Sequence, residues 1–147
     1  MNEDRVIVAG AGPAGLVGAT VLARAGIAVT VLEAEAALPL NLRASTFHPP
    51  TLDMLDELGV AQPLIDQGLK APTLQYRDRQ TGLIAQFDFG LIADLTDHPF
   101  RLQCEQFRLN QLLLAKLEAM DGVDIRFGAK VSGGTQDKDG ASVILEG

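Results

Sequence analysis

Six residues near the N-terminus have the types and spacing of a phosphate-binding turn. They directly follow the apolar run Val6–Ala9 and precede a helix-like stretch. In such a turn one glycine bends the chain off the strand, the next lets the backbone approach a diphosphate, and the last lets the helix lie close to the sheet. The diphosphate would face unpaired N–H groups at the helix N-terminus, where a proline without an N–H is tolerated. The six residues are Gly10, Ala11, Gly12, Pro13, Ala14 and Gly15.

An acidic residue follows this turn at a distance that suits a nucleotide sugar. Glu33 comes 18 residues after Gly15 and ends a second apolar run, Ile27–Leu32. At the tip of a second strand its carboxylate can accept hydrogen bonds from a ribose diol, and it would repel a 2′-phosphate, which disfavours NADP in this pocket. A glycine-rich turn alone is weak evidence. Its position between strand and helix, with an acid at this distance, predicts a dinucleotide-binding βαβ unit.

Composition and charge restrict the class of protein. The 147 residues are 47% hydrophobic and 21% charged, which is typical of one soluble globular domain. The net charge of −7 disfavours a non-specific nucleic-acid or anionic-membrane surface, because either needs a basic patch. Cys104 is the only cysteine, so no intrachain disulfide can form, and the N-terminus lacks the basic residues of a signal peptide. These features favour a cytoplasmic protein, with Cys104 as a small buried side chain.

The elements that would position this turn follow from the apolar periodicity. Alanine and β-branched residues dominate the opening strands, as in a parallel sheet covered on both faces. The segment Glu35–Pro50 contains three prolines and is predicted to be irregular. The predicted strands are Arg5–Ala9, Ile27–Leu32 and Val123–Phe127, and the predicted helices are Pro13–Ala25, Thr51–Leu58 and Glu105–Met120.

Two stretches have the two-residue period of antiparallel strands. In residues 72–100, Leu74 and Tyr76 alternate with polar residues before Thr81-Gly82, and alternation resumes at Ala85, Phe87 and Phe89. A second predicted hairpin joins 130–135 to 142–146. A plain βαβ series does not require such hairpins. We therefore predict an α/β fold, a Rossmann-like βαβ domain with inserted hairpins, in which residues 72–100 begin a substrate-facing sheet.

The order of the motifs resembles a known enzyme family. The glycine-rich turn, Glu33, the segment Arg43–Pro49, the sequence Leu55-x-x-Leu58-Gly59 and Gln103 ahead of a leucine-rich helix occur in that order. Together they resemble the N-terminal part of the single-component FAD-dependent aromatic-ring hydroxylases of the p-hydroxybenzoate hydroxylase type. The resemblance covers essentially the whole chain. It implies an FAD/NAD(P)-binding fold, FAD as the cofactor, NAD(P)H as a transient electron donor and a small aromatic substrate.

The resemblance also implies cofactor contacts beyond the turn and Glu33. Arg43 would contact the diphosphate or the flavin-side linker, and its alternative role is that of a solvated loop arginine. Gln103 would hydrogen-bond the cofactor's sugar or phosphate chain, and a helix-capping or surface amide is the alternative. Ala34 and Val131 would line the adenine, although Val131 also suits a plain core position. His48 and His98 lack a partner that would make them catalytic bases, and no metal-ligand spacing is present.

The family's pattern continues beyond the motifs found here. Its chains are more than twice as long and carry a strand ending in Asp-Gly and a later Gly-Asp motif on the ribityl side of the flavin. No predicted strand of these 147 residues ends in Asp-Gly, and the sequence contains no Gly-Asp. The resemblance therefore implies the FAD-binding portion of an enzyme, residues 1–147, truncated before its later strands. Such a fragment would be inactive alone and could self-associate through an uncovered sheet.

Three other readings remain open at the level of sequence. A non-hydroxylating FAD oxidoreductase, halogenase-like or reductase-like, would share the same ADP-binding half. An NAD-dependent dehydrogenase domain shares the opening fingerprint, although it does not require the hairpin or the Arg43 segment. A non-catalytic fragment could bind ADP-like ligands weakly or only associate with itself.

Overall fold

The computed structural model describes residues 4–41 and 43–146. These form two compact units, one from the described residues of Met1–Asn41 and Leu109–Gly147 and the other from those of Leu42–Arg108. Among the described helices, none combines the length and the apolar character that a bilayer span requires. In chain order the elements are β1 (Arg5–Ala9), α1 (Pro13–Arg24), β2 (Ala28–Leu32), β3 (Thr46–Phe47), α2 (Pro49–Glu57), α3 (Ala61–Ile65), β4 (Leu69–Ala71), β5 (Thr73–Asp78), β6 (Gly82–Asp88), a 3₁₀ turn (Phe89–Ile92), β7 (Arg101–Gln103), α4 (Gln106–Glu118), β8 (Val123–Arg126), β9 (Val131–Gln136) and β10 (Ala141–Leu145).

The first unit contains a parallel sheet in the order β1-β2-β8. Val8 pairs with Val31, and Val31 pairs with Ile125, so apolar residues of three strands share one face. Because the strands are parallel, their carboxyl ends lie at the same edge. The predicted α/β class and the three parallel strands are present, with bounds that differ by a residue or two.

Helix α1 packs closely on this sheet. It begins directly after the turn, and its small residues allow the approach, because an added Cβ at Gly15 would lie 3.3 Å from Val8 Cγ1. The helix ends at Arg24, and Gly26 follows with a φ of +77°. The buried apolar residues of the first unit are Ala11, Leu16, Ala19, Val29, Val31, Leu32, Leu109, Leu113 and Leu117.

The second unit has two antiparallel sheets and two short helices. One sheet has the order β3-β7-β4, and the other is the hairpin of β5 and β6. In the hairpin Leu74 pairs with Phe87 and Tyr76 with Ala85, so one face is apolar. The buried apolar residues of this unit are Phe47, Leu52, Leu55, Leu58, Val60, Ala61, Leu64, Ile65, Phe100, Leu102 and Cys104.

Several local features differ from the sequence-based expectation. The segment predicted to be irregular contains β3, and α2 begins at Pro49 rather than Thr51 because proline suits the first helical positions. Phe89 starts a 3₁₀ turn capped by Asp88, whose Oδ1 accepts from Gly90 N at 2.8 Å, so the alternation ends one residue early. The short elements α3, β4 and β7 have no counterpart in the prediction. Few residues form each of them, so periodicity gives no signal.

Candidate functional site

The glycine-rich turn lies at the carboxyl edge of the parallel sheet. Gly10 has a φ of +102°, which side-chain-bearing residues rarely adopt, and its N–H donates to Leu32 O at 2.7 Å. This bond joins the end of β1 to the end of β2. The turn is therefore held against the residue that precedes Glu33.

Gly12 and Gly15 serve different purposes in the structure. A Cβ added at Gly15 would lie 2.1 Å from Gly10 O, so the close approach of α1 to the turn requires glycine there. A Cβ added at Gly12 would meet nothing within 4 Å. No contact within the protein explains the missing side chain at Gly12. The space beside it is open to a ligand.

The N-terminus of α1 carries no capping side chain. Gly12 is the N-cap residue and has none to offer, and Pro13 follows without an N–H. The N–H groups of Ala14 and Gly15 belong to the first helical turn, which has no carbonyl partners within the helix. Together with the helix dipole they favour an anion at this end. The open space at Gly12 gives an anion access to them.

The carboxylate of Glu33 lies beside the same turn. Its Oε2 accepts from Ala11 N at 2.7 Å, and its Oε1 accepts from Glu35 N at 3.0 Å. Two backbone donors thus orient the carboxylate, and about two of its lone-pair positions stay available. Glu33 is half-buried, so it can accept further hydrogen bonds from a ligand diol.

The loop after β2 is bonded to the loop after β8. Ala129 N donates to Glu33 O and Gly128 N donates to Glu35 O, both at 2.8 Å. Ala34 lies between the two bonded residues and is exposed, and half-buried Val131 begins β9 two residues after Ala129. The structure therefore gathers the turn, Glu33, Ala34 and the segment leading to Val131 at one edge of the first unit.

The second unit joins the Arg43 segment to Gln103. The pairing of β3 with β7 places Thr46 opposite Gln103. Beyond it, Cys104 N donates to Ser45 O at 2.9 Å and Gln106 N donates to Ala44 O at 2.8 Å. Arg43 is exposed at the end of this ladder. Arg43 and Gln103, 60 positions apart and both predicted to contact the cofactor, thus lie respectively in the segment that leads into β3 and on the neighbouring strand β7.

Two hydroxyl groups hold the side chain of Gln103. Its Nε2 donates to Ser45 Oγ at 2.7 Å, and its Oε1 accepts from Thr46 Oγ1 at 3.3 Å. Gln103 also borders a cleft of about 250 Å³ that Gln67, Leu69 and Arg108 help to line. Sequence reasoning assigned no role to either hydroxyl. Only the pairing of β3 with β7, across more than 50 residues, reveals the contact.

The other polar clusters of the second unit are structural in character. His98 is buried, and its Nδ1 lies 2.7 Å from Asp53 Oδ1, which also accepts from Thr96 Oγ1 at 2.8 Å. The hydrogen bonds from His98 and then Thr96 lower the pKa of Asp53. Through these two bonds Asp53, on helix α2, anchors the segment before β7. No nucleophile accompanies this pair in the described residues, and His98 gains no catalytic role.

Cys104 is a small buried side chain, as predicted from the sequence. It is 3% exposed, and burial raises the pKa of its thiol. Nearby, Arg108 Nε donates to Glu105 Oε2 at 2.6 Å, and this bond lowers the pKa of Glu105. A protonated, buried thiol is a poor nucleophile.

Comparison with known proteins gives consistent matches. The model of the FAD binding domain family matches residues 3–147. Para-nitrophenol 4-monooxygenase from Pseudomonas sp. (strain WBC-3) is 34% identical over 143 residues, which are 97% of this chain and 35% of the relative. 6-Hydroxy-3-succinoylpyridine 3-monooxygenase from Pseudomonas putida is 33% identical over 129 residues, 88% of this chain and 33% of the relative.

A solved structure matches over the same share of this chain as the first of these relatives. The crystal structure of p-nitrophenol 4-monooxygenase from Pseudomonas putida DLL-E4 superposes with a TM-score of 0.87 at 30% identity, covering 97% of this chain and 38% of that one. The chain thus spans about a third of the length of the curated relatives it matches. The family model matches residues 3–147, and the solved structure has the same Rossmann-like fold. The chain therefore belongs to the FAD-binding domain family found in flavin-dependent aromatic monooxygenases.

Proposed function

We propose that this chain is the FAD-binding part of a flavin-dependent monooxygenase that hydroxylates a small aromatic-type molecule. The observation that carries the proposal is the uncapped N-terminus of α1, with open space at Gly12 and the oriented carboxylate of Glu33 beside it. Two relatives are named as monooxygenases, one of them of para-nitrophenol, and this supports the reaction and the substrate class.

The residues of the first unit suit the ADP moiety of FAD. The diphosphate would accept from the free N–H groups of the first turn of α1, with Gly12 leaving room for it. Glu33 would accept hydrogen bonds from the ribose diol, and its charge would reject a 2′-phosphate. Ala34 and Val131 would contact the adenine through backbone and apolar atoms.

Arg43 and Gln103 would contact FAD from the second unit. The guanidinium of Arg43 is a cation with a fork of N–H donors, which suits a diphosphate. The Gln103 amide can donate to or accept from the cofactor's sugar or phosphate chain. The ladder includes Gln103 and ends at Ala44, next to Arg43, and this supports a common role of the two residues.

The chemistry would come from the cofactor. Bound FAD, reduced by NAD(P)H as a transient donor, supplies the reaction with O₂ that hydroxylates an electron-rich ring. The residues of this chain bind and orient it. Without the remaining two thirds of the relatives' length, we expect the isolated 147 residues to show no turnover.

A pair of substitutions at Gly12 tests the FAD site. Asp and Asn both favour the N-cap position, so neither Gly12→Asp nor Gly12→Asn should lower the free energy of unfolding. Asn occupies the open space, and Asp adds a negative charge facing the diphosphate. FAD should therefore bind Gly12→Asp about tenfold more weakly than Gly12→Asn, and both more weakly than the unaltered chain.

The measurement is FAD affinity by quenching of flavin fluorescence, with urea denaturation as the check on folding. Equal FAD affinity of all three proteins would refute the site. Calorimetry with FAD and with NAD separates the flavoprotein from a dehydrogenase domain, because only the former should prefer FAD.

We also propose that residues 72–100 begin a substrate-facing sheet. The apolar face of β5 and β6 includes Tyr76 and Phe87, whose rings make a T-shaped contact 6.0 Å between centroids. Both rings are more than half exposed. An isolated two-stranded sheet is marginally stable in water, so this face suits further packing.

The same face supports self-association of the isolated chain. Sedimentation velocity should show a larger species that Phe87→Lys abolishes, and an unaltered chain that stays monomeric at high concentration would refute this.

The net charge of −7 supports the absence of nucleic-acid and membrane partners, and the single cysteine supports a cytoplasmic location.

A further inference from the structure

We propose that Ser45 is a positioning residue that, with Thr46, holds the Gln103 amide ready for the cofactor. The inference rests on the proposed FAD contact of Gln103 and adds how that contact is prepared. The Ser45 hydroxyl itself does not touch the cofactor in this account. It acts through the Gln103 side chain.

The backbone around Gln103 is fixed on two sides. The β3–β7 pairing sets Thr46 opposite Gln103, and the bond from Cys104 N to Ser45 O continues the ladder. On the β4 side, a Cβ added at Gly68 would lie 2.8 Å from Gln103 O, so this backbone packs closely. The backbone contacts leave only the conformation of the Gln103 side chain to be set by other groups.

The side chain is exposed, and an exposed glutamine samples many rotamers. Ordering such a side chain on binding costs free energy. The bonds to Ser45 Oγ at 2.7 Å and from Thr46 Oγ1 at 3.3 Å select one arrangement in advance. Pre-ordering lowers the cost of binding.

The two hydroxyls leave the amide able to bind a ligand. An amide has two N–H donors and a carbonyl oxygen with two lone pairs. Ser45 takes one N–H and Thr46 occupies one lone pair. One donor and one acceptor position remain, and Gln103 borders an open cleft.

Ser45 variants test this role through FAD affinity. Loss of one hydrogen bond that orders the amide should make FAD binding by Ser45→Ala about three- to tenfold weaker. Ser45→Thr keeps the hydroxyl and should restore the affinity. Ser142→Ala, on exposed strand β10, is the matched control and should leave it unchanged.

A double-mutant cycle shows whether Ser45 acts through Gln103. In the Gln103→Ala background, Ser45→Ala should cost nothing further. Additive losses would overturn the inference. An unchanged FAD affinity of Gln103→Ala would also overturn it if Gly12→Asp weakens FAD binding. If Gly12→Asp also leaves FAD affinity unchanged, the proposed function itself fails.

A second readout needs no FAD. In the ligand-free chain, nuclear magnetic resonance spectra should show the Gln103 side-chain N–H proton that bonds to Ser45 shifted downfield of a solvated glutamine amide and exchanging slowly with water. Ser45→Ala should bring it to the values of a solvated amide, and Ser45→Thr should not. Solvated-amide shifts in the unaltered chain would refute the inference whatever the FAD result.

Discussion

The substitution Gly15→Ala should destabilise the first unit, although alanine is the better helix former. Gly15 lies in the first turn of α1, and an added Cβ would be 2.1 Å from Gly10 O. Cβ atoms do not approach closer than about 3.0 Å, so the helix start must move by about 0.9 Å. The obstacle is backbone that the Gly10–Leu32 hydrogen bond holds in place, so it cannot rotate away.

The magnitude follows from two opposing terms. Forcing one extra methyl group into a packed site costs about 1–3 kcal/mol. Replacing glycine with alanine inside a helix returns up to about 1 kcal/mol. Because the clash is with fixed backbone, the cost lies in the upper part of that range, at about 2–3 kcal/mol. The net loss in the free energy of unfolding should then be about 1–2 kcal/mol, which is about 2–8 °C in melting temperature for a chain of this size.

Gly18 provides the matched control within the same helix. A Cβ there would meet nothing within 4 Å, so Gly18→Ala should stabilise the protein by about 0.5–1 kcal/mol. Urea denaturation of the two variants and the unaltered chain measures both effects. If Gly15→Ala is as stable as Gly18→Ala, the close packing of α1 on the turn is refuted.

Three other predictions concern the second unit. Gly68→Ala should lower the free energy of unfolding by about 1–3 kcal/mol, since a Cβ would lie 2.7 Å from Leu102 Cδ1, and a melting temperature unchanged from that of the unaltered chain would contradict this. The pKa of Asp53 is lowered in the folded state, chiefly by its hydrogen bond to His98, so its contribution to stability is present above pH 3.8 and is lost as the pH falls through the lowered value. Asp53→Asn should therefore flatten the dependence of the free energy of unfolding on pH below 3.8, and parallel curves for the two proteins would refute it. Cys104 is buried with a raised thiol pKa, so a disulfide reagent at pH 8 should react with it slowly in the native protein and rapidly in urea; equal rates would show that the thiol is accessible.

The first unit was largely predictable from sequence because its signals are local. The turn from Gly10 to Gly15 lies between two elements that are adjacent in sequence, and the pairing of β1 with β2 follows from one short crossover helix. Apolar periodicity also located β8, since Val123–Phe127 follows a helix that ends near a glycine. These inferences needed no contact between distant segments.

The second unit was less predictable because its contacts join distant residues. Two- or three-residue strands such as β3 and β7 carry no period, so their pairing had no sequence signal. The bond between Gln103 and Ser45 spans 58 residues, and that between His98 and Asp53 spans 45. A histidine beside a proline and an acid on a short helix give no indication that they meet.

The three glycines of the turn separate the requirements of folding from those of binding. Gly10 is needed for its positive φ and Gly15 for the approach of α1, so both are explained by the chain itself. Gly12 has an ordinary backbone conformation and open space, so folding alone would accept a side chain there. Substitutions at Gly10 or Gly15 change folding and binding together and cannot distinguish them. Only at Gly12 does a loss of FAD affinity without a loss of stability identify the ligand as the reason for glycine.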